Sequence, residues 1–163
     1  MGAFLALWNL TEEVRAGEKA QEISQQVKSR LEAYDEKADA AEKPRPAYLD
    51  DPTIPMPTVT VDGNEYIGTL QIPDLKLELP IFSQWSYPNL KQAPCRYSGS
   101  AYMDDMILLA HDYKRHFGAI KSLSMGAQLT FTDAKDNRFV YQAREAQILD
   151  DEAIEESNRE IGI

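Results

Sequence analysis

Cys95, His111 and His116 are the side chains of this sequence with the types needed for nucleophilic chemistry. A thiolate attacks a carbonyl carbon once a nearby imidazole has taken its proton, so a lone cysteine with a histidine elsewhere suggests a protease-like pair. The alternative for Cys95 is a small buried apolar residue, which is what most lone cysteines are. His111 directly follows the apolar run MILLA at 106–110, where a buried strand would emerge. Strand ends are places where a rigid scaffold presents catalytic groups. Asp112 and Tyr113 come next, and either can orient an imidazole. A histidine satisfied structurally at a strand end is the competing reading, and for His116, which opens a short helical stretch, it is the stronger one. Glu145, Asp150, Asp151, Glu152, Glu155 and Glu156 form an acidic cluster. It lacks the glycine and ligand spacing of an EF-hand loop and reads as a solvated face, with a low-affinity calcium site as the alternative. No other cofactor is expected.

Composition narrows the classes further. The 163 residues carry a formal charge of −10, with 43% hydrophobic residues. Like charge repels nucleic acid and anionic lipid, so neither is an expected partner. One cysteine excludes an intramolecular disulfide and every multi-cysteine zinc or iron–sulfur site. Two histidines without an HExxH pattern speak against a zinc hydrolase. No stretch approaches the roughly 20 apolar residues of a membrane span.

The elements that must position these residues fall into three parts. Residues 1–42 begin with an apolar run, MGAFLALW, that fits neither a secretory signal nor a myristoylation site. They continue with Leu10, Val14, Gly17, Ala20, Ile23, Val27, Leu31 and Tyr34 at steps of three and four, which predicts a long amphipathic α-helix. Residues 43–58 hold five of the nine prolines, and predict a semi-rigid linker or a surface strap. From residue 59 to 163 the pattern turns β-like. Strands are expected at 66–72, 75–82, 106–110, 128–132 and 138–143, the third of these buried on both faces. The first two are separated by Pro73-Asp74, the last two by a hairpin at 133–137, and a short helix is expected at 117–123. Short strands at close spacing predict a mainly β fold, a barrel or sandwich.

Residues 93–118 (APCRYSGSAYMDDMILLAHDYKRHFG) resemble the central region of bacterial sortases, membrane-anchored cysteine transpeptidases of Gram-positive surfaces. The resemblance extends upstream through 66–82 and downstream through 119–141, over roughly residues 59–155. It implies a sortase β-barrel preceded by the helix, with His111 at the position of the catalytic histidine. Ala110 stands where the family usually has glycine and Asp112 where it has asparagine; the extra carboxylate favours a protonated imidazole. His116 matches a recurring histidine that is not the catalytic one.

The family's nucleophile lies in a TLxTC motif on a late strand, followed by an arginine on the next. Neither motif is in this sequence, and Cys95 is not at the matching place. The resemblance therefore implies an incomplete barrel, shortened before that strand, whose open strand edges invite association. It implies LPxTG-type sorting-signal peptides as substrates, a cell-wall precursor or pilin amine as acceptor, and a location on the outer face of the membrane through an N-terminal anchor. As it stands, the chain is expected to be unable to form the thioacyl enzyme. The alternatives are a catalytically dead sortase-like binding or scaffolding module, and a Cys95-dependent hydrolase.

Overall fold

The computed structural model describes residues 15, 17–30, 32, 45–111 and 117–145. Helix α1 occupies 17–30, and residues 15 and 32 are also helical. Gly17, Ala20, Ile23 and Val27 of the expected stripe are buried, together with Ser24. The flanking Lys, Glu and Gln residues are largely exposed, as an amphipathic helix on a sheet requires. The rest of the stripe lies outside the described residues.

Among the described residues seven strands follow: β1 (Val59–Val61), β2 (Asn64–Ile72), β3 (Leu77–Phe82), β4 (Cys95–Ser98), β5 (Ile107–Leu109), β6 (Gln128–Asp133) and β7 (Arg138–Gln142). A one-turn helix α2 (Tyr87–Leu90) connects β3 to β4, and 3-10 turns occupy Pro73–Leu75 and Phe117–Ser122. The sheet order is β5-β4-β3-β2-β6-β7, with β1 paired to β2. All pairs are antiparallel except β3 with β4, where the chain crosses over through α2.

The middle of the sheet is buried on both sides. One side packs under α1, where Ala20, Ile23 and Val27 meet Tyr66, Leu79, Phe82 and Cys95. The Tyr66 and Phe82 rings lie 4.5 Å apart there. The other side gathers Ile67, Leu70, Ile72, Ile81, Ala101 and Phe131. Leu108 of β5 and Tyr141 of β7, from opposite ends of the strand order, both pack against this second cluster. The sheet is thus curled into a half-barrel, mainly β with an N-terminal helix.

The strand expected to be buried on both faces is not. β5 is shorter than the apolar run, and Ile107 is 38% exposed while Leu108 and Leu109 are half-buried. Its apolar composition is that of an interior strand, but it pairs with β4 at one end of the described sheet. The expected second strand also starts late, because Pro73–Leu75 form a 3-10 turn and Lys76 takes a left-handed φ of 52°.

Two hairpins are held by different chemistry. Between β1 and β2, Asp62 and Gly63 both have positive φ, 50° and 78°, the arrangement of a two-residue primed turn. Between β6 and β7, the fully buried Asp133 carboxylate takes the organising role. It accepts from the backbone N–H groups of Lys135 at 2.8 Å and Asn137 at 2.9 Å. The Asn137 side chain donates to it at 2.8 Å and the Tyr102 hydroxyl at 2.6 Å.

The proline strap lies on this end of the molecule. Its Tyr48 ring stacks on Tyr102 at 4.4 Å with a 9° tilt and leans on Phe139 at 5.4 Å. Met56 packs against the second core cluster.

Candidate active site

Strand β5 ends at Leu109, and Ala110 and His111 follow it, both half-buried. His111 therefore stands at a strand end, where the sequence placed it. Asp112, Tyr113 and His116 lie outside the described residues, as does the acidic run from Asp150 onward.

Cys95 is brought close to this strand end. It opens β4 and pairs with Leu109 in the antiparallel register, two positions along the chain from His111. Its side chain nevertheless belongs to the core beneath α1, with no exposed surface. The thiol donates to the Ala93 carbonyl at 3.5 Å. Burial pushes its pKa up to about 11, against a weaker opposing hydrogen bond from the Ser86 backbone. A nucleophilic cysteine needs the reverse, a thiolate stabilised by positive charge and open to substrate. Cys95 is a core residue that happens to adjoin the histidine's strand.

Arg96, next in β4, is equally committed. Its Nε donates to the Ser83 carbonyl and its Nη1 to the Gly99 carbonyl, each at 3.0 Å. The guanidinium ties two loops together. Sequence reasoning had no signal for this role.

An apolar groove of about 370 Å³ opens on the concave side of the sheet, lined by Leu70, Leu108, Ile120, Leu129, Phe131 and Tyr141 among others. Leu108 places it on the strand that leads into His111. Asp104 lies at the same groove. The Tyr141 phenol is pushed up by burial first and by the Asp104 charge second. Two larger depressions, of about 540 and 480 Å³, lie between α1 and the sheet, are mainly polar, and include no residue of β4 or β5. The smaller groove is the better candidate, because it is apolar and takes one wall from β5, the strand that leads into His111.

Among the described residues no group of three or more His, Cys, Asp or Glu side chains is arranged to hold a metal ion. No helix among them is long and apolar enough to cross a membrane.

With strand-end histidine, groove and half-barrel in place, the family follows from comparison. A family model for the sortase domain matches residues 70–160, more than half of the chain, and the chain belongs to the sortase family. Solved structures similar to it include sortase C from Clostridium perfringens SM101, at 20% identity and a TM-score of 0.46, covering 83% of this chain and 72% of that one. The lid-mutant of Streptococcus agalactiae sortase C1 is similar at 17% identity and a TM-score of 0.49, over 90% and 73% of the two chains. Sortase C1 from Streptococcus suis is similar at 17% identity and a TM-score of 0.42; this chain spans about half of that structure's length, 49% of each chain being covered. No curated protein matches the chain.

Proposed function

We propose that this chain is the histidine-bearing part of a sortase-like cysteine transpeptidase that joins surface proteins carrying LPxTG-type sorting signals to the cell wall or to pili. The observation that carries this reading is His111 just past the end of β5, the strand whose Leu108 lines the apolar groove, within the residues that match the sortase domain. In this reading the enzyme acts on the outer face of the membrane. A cysteine thiolate attacks a backbone carbonyl carbon of the sorting signal, and the C–N bond breaks. The leaving amine takes a proton from the His111 imidazolium, and an acceptor amine then displaces the thiol. The acceptor is a cell-wall precursor or a pilin lysine.

The chain contains one cysteine, and its thiol is buried and protonated. We infer that this chain alone does not form the thioacyl enzyme, and that the nucleophile is supplied by a TLxTC-bearing strand outside it. The test is a fluorogenic LPxTG peptide incubated with the chain alone, and with the chain plus a polypeptide bearing the TLxTC and arginine strands. Cleavage is expected only in the second case and is lost in His111→Ala. Turnover by the chain alone that Cys95→Ala abolishes overturns the reading, as does restored turnover that His111→Ala leaves unchanged. Burial of the sole cysteine also favours a second reading, a sortase-like binding or scaffolding module. Such a module binds the peptide in both cases and cleaves it in neither.

A further inference from the structure

Three aromatic rings stand together on the surface around α2, unconnected with the groove. Trp85 is 41% exposed and Tyr87 74% exposed, with ring centroids 5.7 Å apart and planes at 80°. Tyr97 of β4 flanks Trp85 at 6.2 Å. Among the described residues the Trp85 indole N–H and the two phenol hydroxyls have no hydrogen-bond partner. Trp85 and Tyr87 are left uncovered by neighbouring side chains, and the half-buried Tyr97 extends them, so the rings form an exposed apolar patch.

The loop that carries them is held in place. Arg96 binds the Ser83 carbonyl at 3.0 Å, and the Asn89 side chain donates to the Gln84 carbonyl at 3.2 Å. The Ser86 hydroxyl caps α2 by accepting from the Asn89 N–H at 3.2 Å. The rings are therefore presented in a fixed arrangement, and little ordering entropy remains to be lost on binding.

Charge identifies the kind of partner. Residues 79–103 contain no Asp or Glu at all, in a chain with 27 acids and a net charge of −10. The two charged residues of that stretch are Lys91 and Arg96. Lys91 is exposed, four positions after Tyr87, and has no ion pair among the described residues. Aromatic enrichment with depletion of acids is the composition of a protein-binding hot spot. A saccharide site would instead bring carboxylates or several free amides to fix hydroxyl groups; this stretch has no carboxylate, and of its amides those of Asn89 and Gln92 are engaged within the loop, which leaves Gln84 alone. The donors on offer suit backbone carbonyls. A polyproline II segment exposes its carbonyls unpaired and its proline rings to aromatic faces.

We propose that Trp85, Tyr87 and Tyr97 form a docking surface for an extended, acidic, proline-bearing segment of a partner protein, with Lys91 meeting its carboxylates. The probe is an acetylated peptide of about twelve residues repeating Glu-Pro-Pro, four turns of polyproline II. It is titrated into the full chain while the Trp85 indole N–H and Lys91 signals are followed by NMR. Both signals are expected to shift saturably, and Trp85→Ala is expected to weaken binding by at least about tenfold. Lys91→Glu is expected to weaken it several-fold, with the effect shrinking at high salt. Tyr87→Ala, at a site exposed enough to leave folding intact, provides a second variant with the same expected direction. The proposal is overturned if a Lys-Pro-Pro or Glu-Gly-Gly repeat binds as well, if chitotetraose shifts the same signals, or if no saturable shift occurs.

Discussion

Reaction of Cys95 with a disulfide reagent measures directly whether this thiol is a nucleophile. Its pKa is raised from 9.0 to about 11, first by burial. At pH 8 the thiolate fraction falls from about one part in ten to about one in a thousand, a hundredfold loss before access is considered. Since the side chain has no exposed surface, the reagent must also wait for the core beneath α1 to open. Native chain should therefore react with Ellman's reagent at least about 100-fold more slowly than chain unfolded in urea at the same pH. The same shift has a pH signature. Folding keeps the thiol neutral, so its contribution is fully present below the unfolded pKa near 9 and is lost as pH rises toward about 11. Two units correspond to about 2–3 kcal/mol. Urea melts of wild type and Cys95→Ala between pH 8 and 11 should show a steeper alkaline loss in the wild type. Tyr66, raised to about 12 first by burial and then by the Asp62 and Cys95 charges, is present in both proteins; its burial contribution cancels, and the part owed to Cys95 steepens the wild-type loss in the same direction. A native rate within tenfold of the unfolded rate, or identical alkaline slopes, would refute the reasoning.

Other outcomes follow from the hairpin and the sheet centre. Asp133→Ala removes an acceptor shared by four donors and should cost about 3–5 kcal/mol in urea denaturation; Tyr102→Phe, which removes one of those bonds, should cost about 1.5–3 kcal/mol. Equal losses for the two variants would contradict the central role of the carboxylate. Gly68 sits at the β2 bulge with φ of 151°, and a Cβ there would overlap the Thr132 carbonyl oxygen of the paired strand. Gly68→Ala should lower stability by about 3 kcal/mol or more, and thermal melting within a degree or two of wild type would count against the close approach of β2 and β6.

Much of this architecture was legible because it is written as periodicity. Gly17, Ala20, Ile23 and Val27 mark one helical face by their spacing, and that is the face α1 buries. The β2, β6 and β7 segments show themselves through alternation and β-branched or aromatic residues. The shortest strands escaped the reading. Cys95–Ser98 (CRYS) has neither alternation nor β-branching, while Val59–Val61 (VTV) is β-branched throughout but too short to show a period. The exposure of β5 could not be read from MILLA, because lateral position in a sheet depends on which strands pair, and composition does not encode that. For the same reason the strand-end position of His111 was visible in sequence, but the groove that shares its strand was not. Leu70, Leu129 and Tyr141 become its walls only when the sheet curls. Asp133 looked like an ordinary loop acid; that its carboxylate organises the turn depends on burial and on Tyr102 arriving from another loop.

Tyr48 precedes every described strand, yet its ring partners are Tyr102, in the loop before β5, and Phe139, on β7. The stack therefore depends on work done much later in the chain: β7 must be paired to offer Phe139, and Asp133 must be in place to hold the Tyr102 hydroxyl. In folding, the ring stack of the strap is therefore expected to form only after the β6–β7 hairpin has paired, and to loosen with it, because closing contacts so distant in sequence has to wait for the partners it joins. Order in the strap thus reports on the integrity of a carboxylate at the opposite end of the described chain.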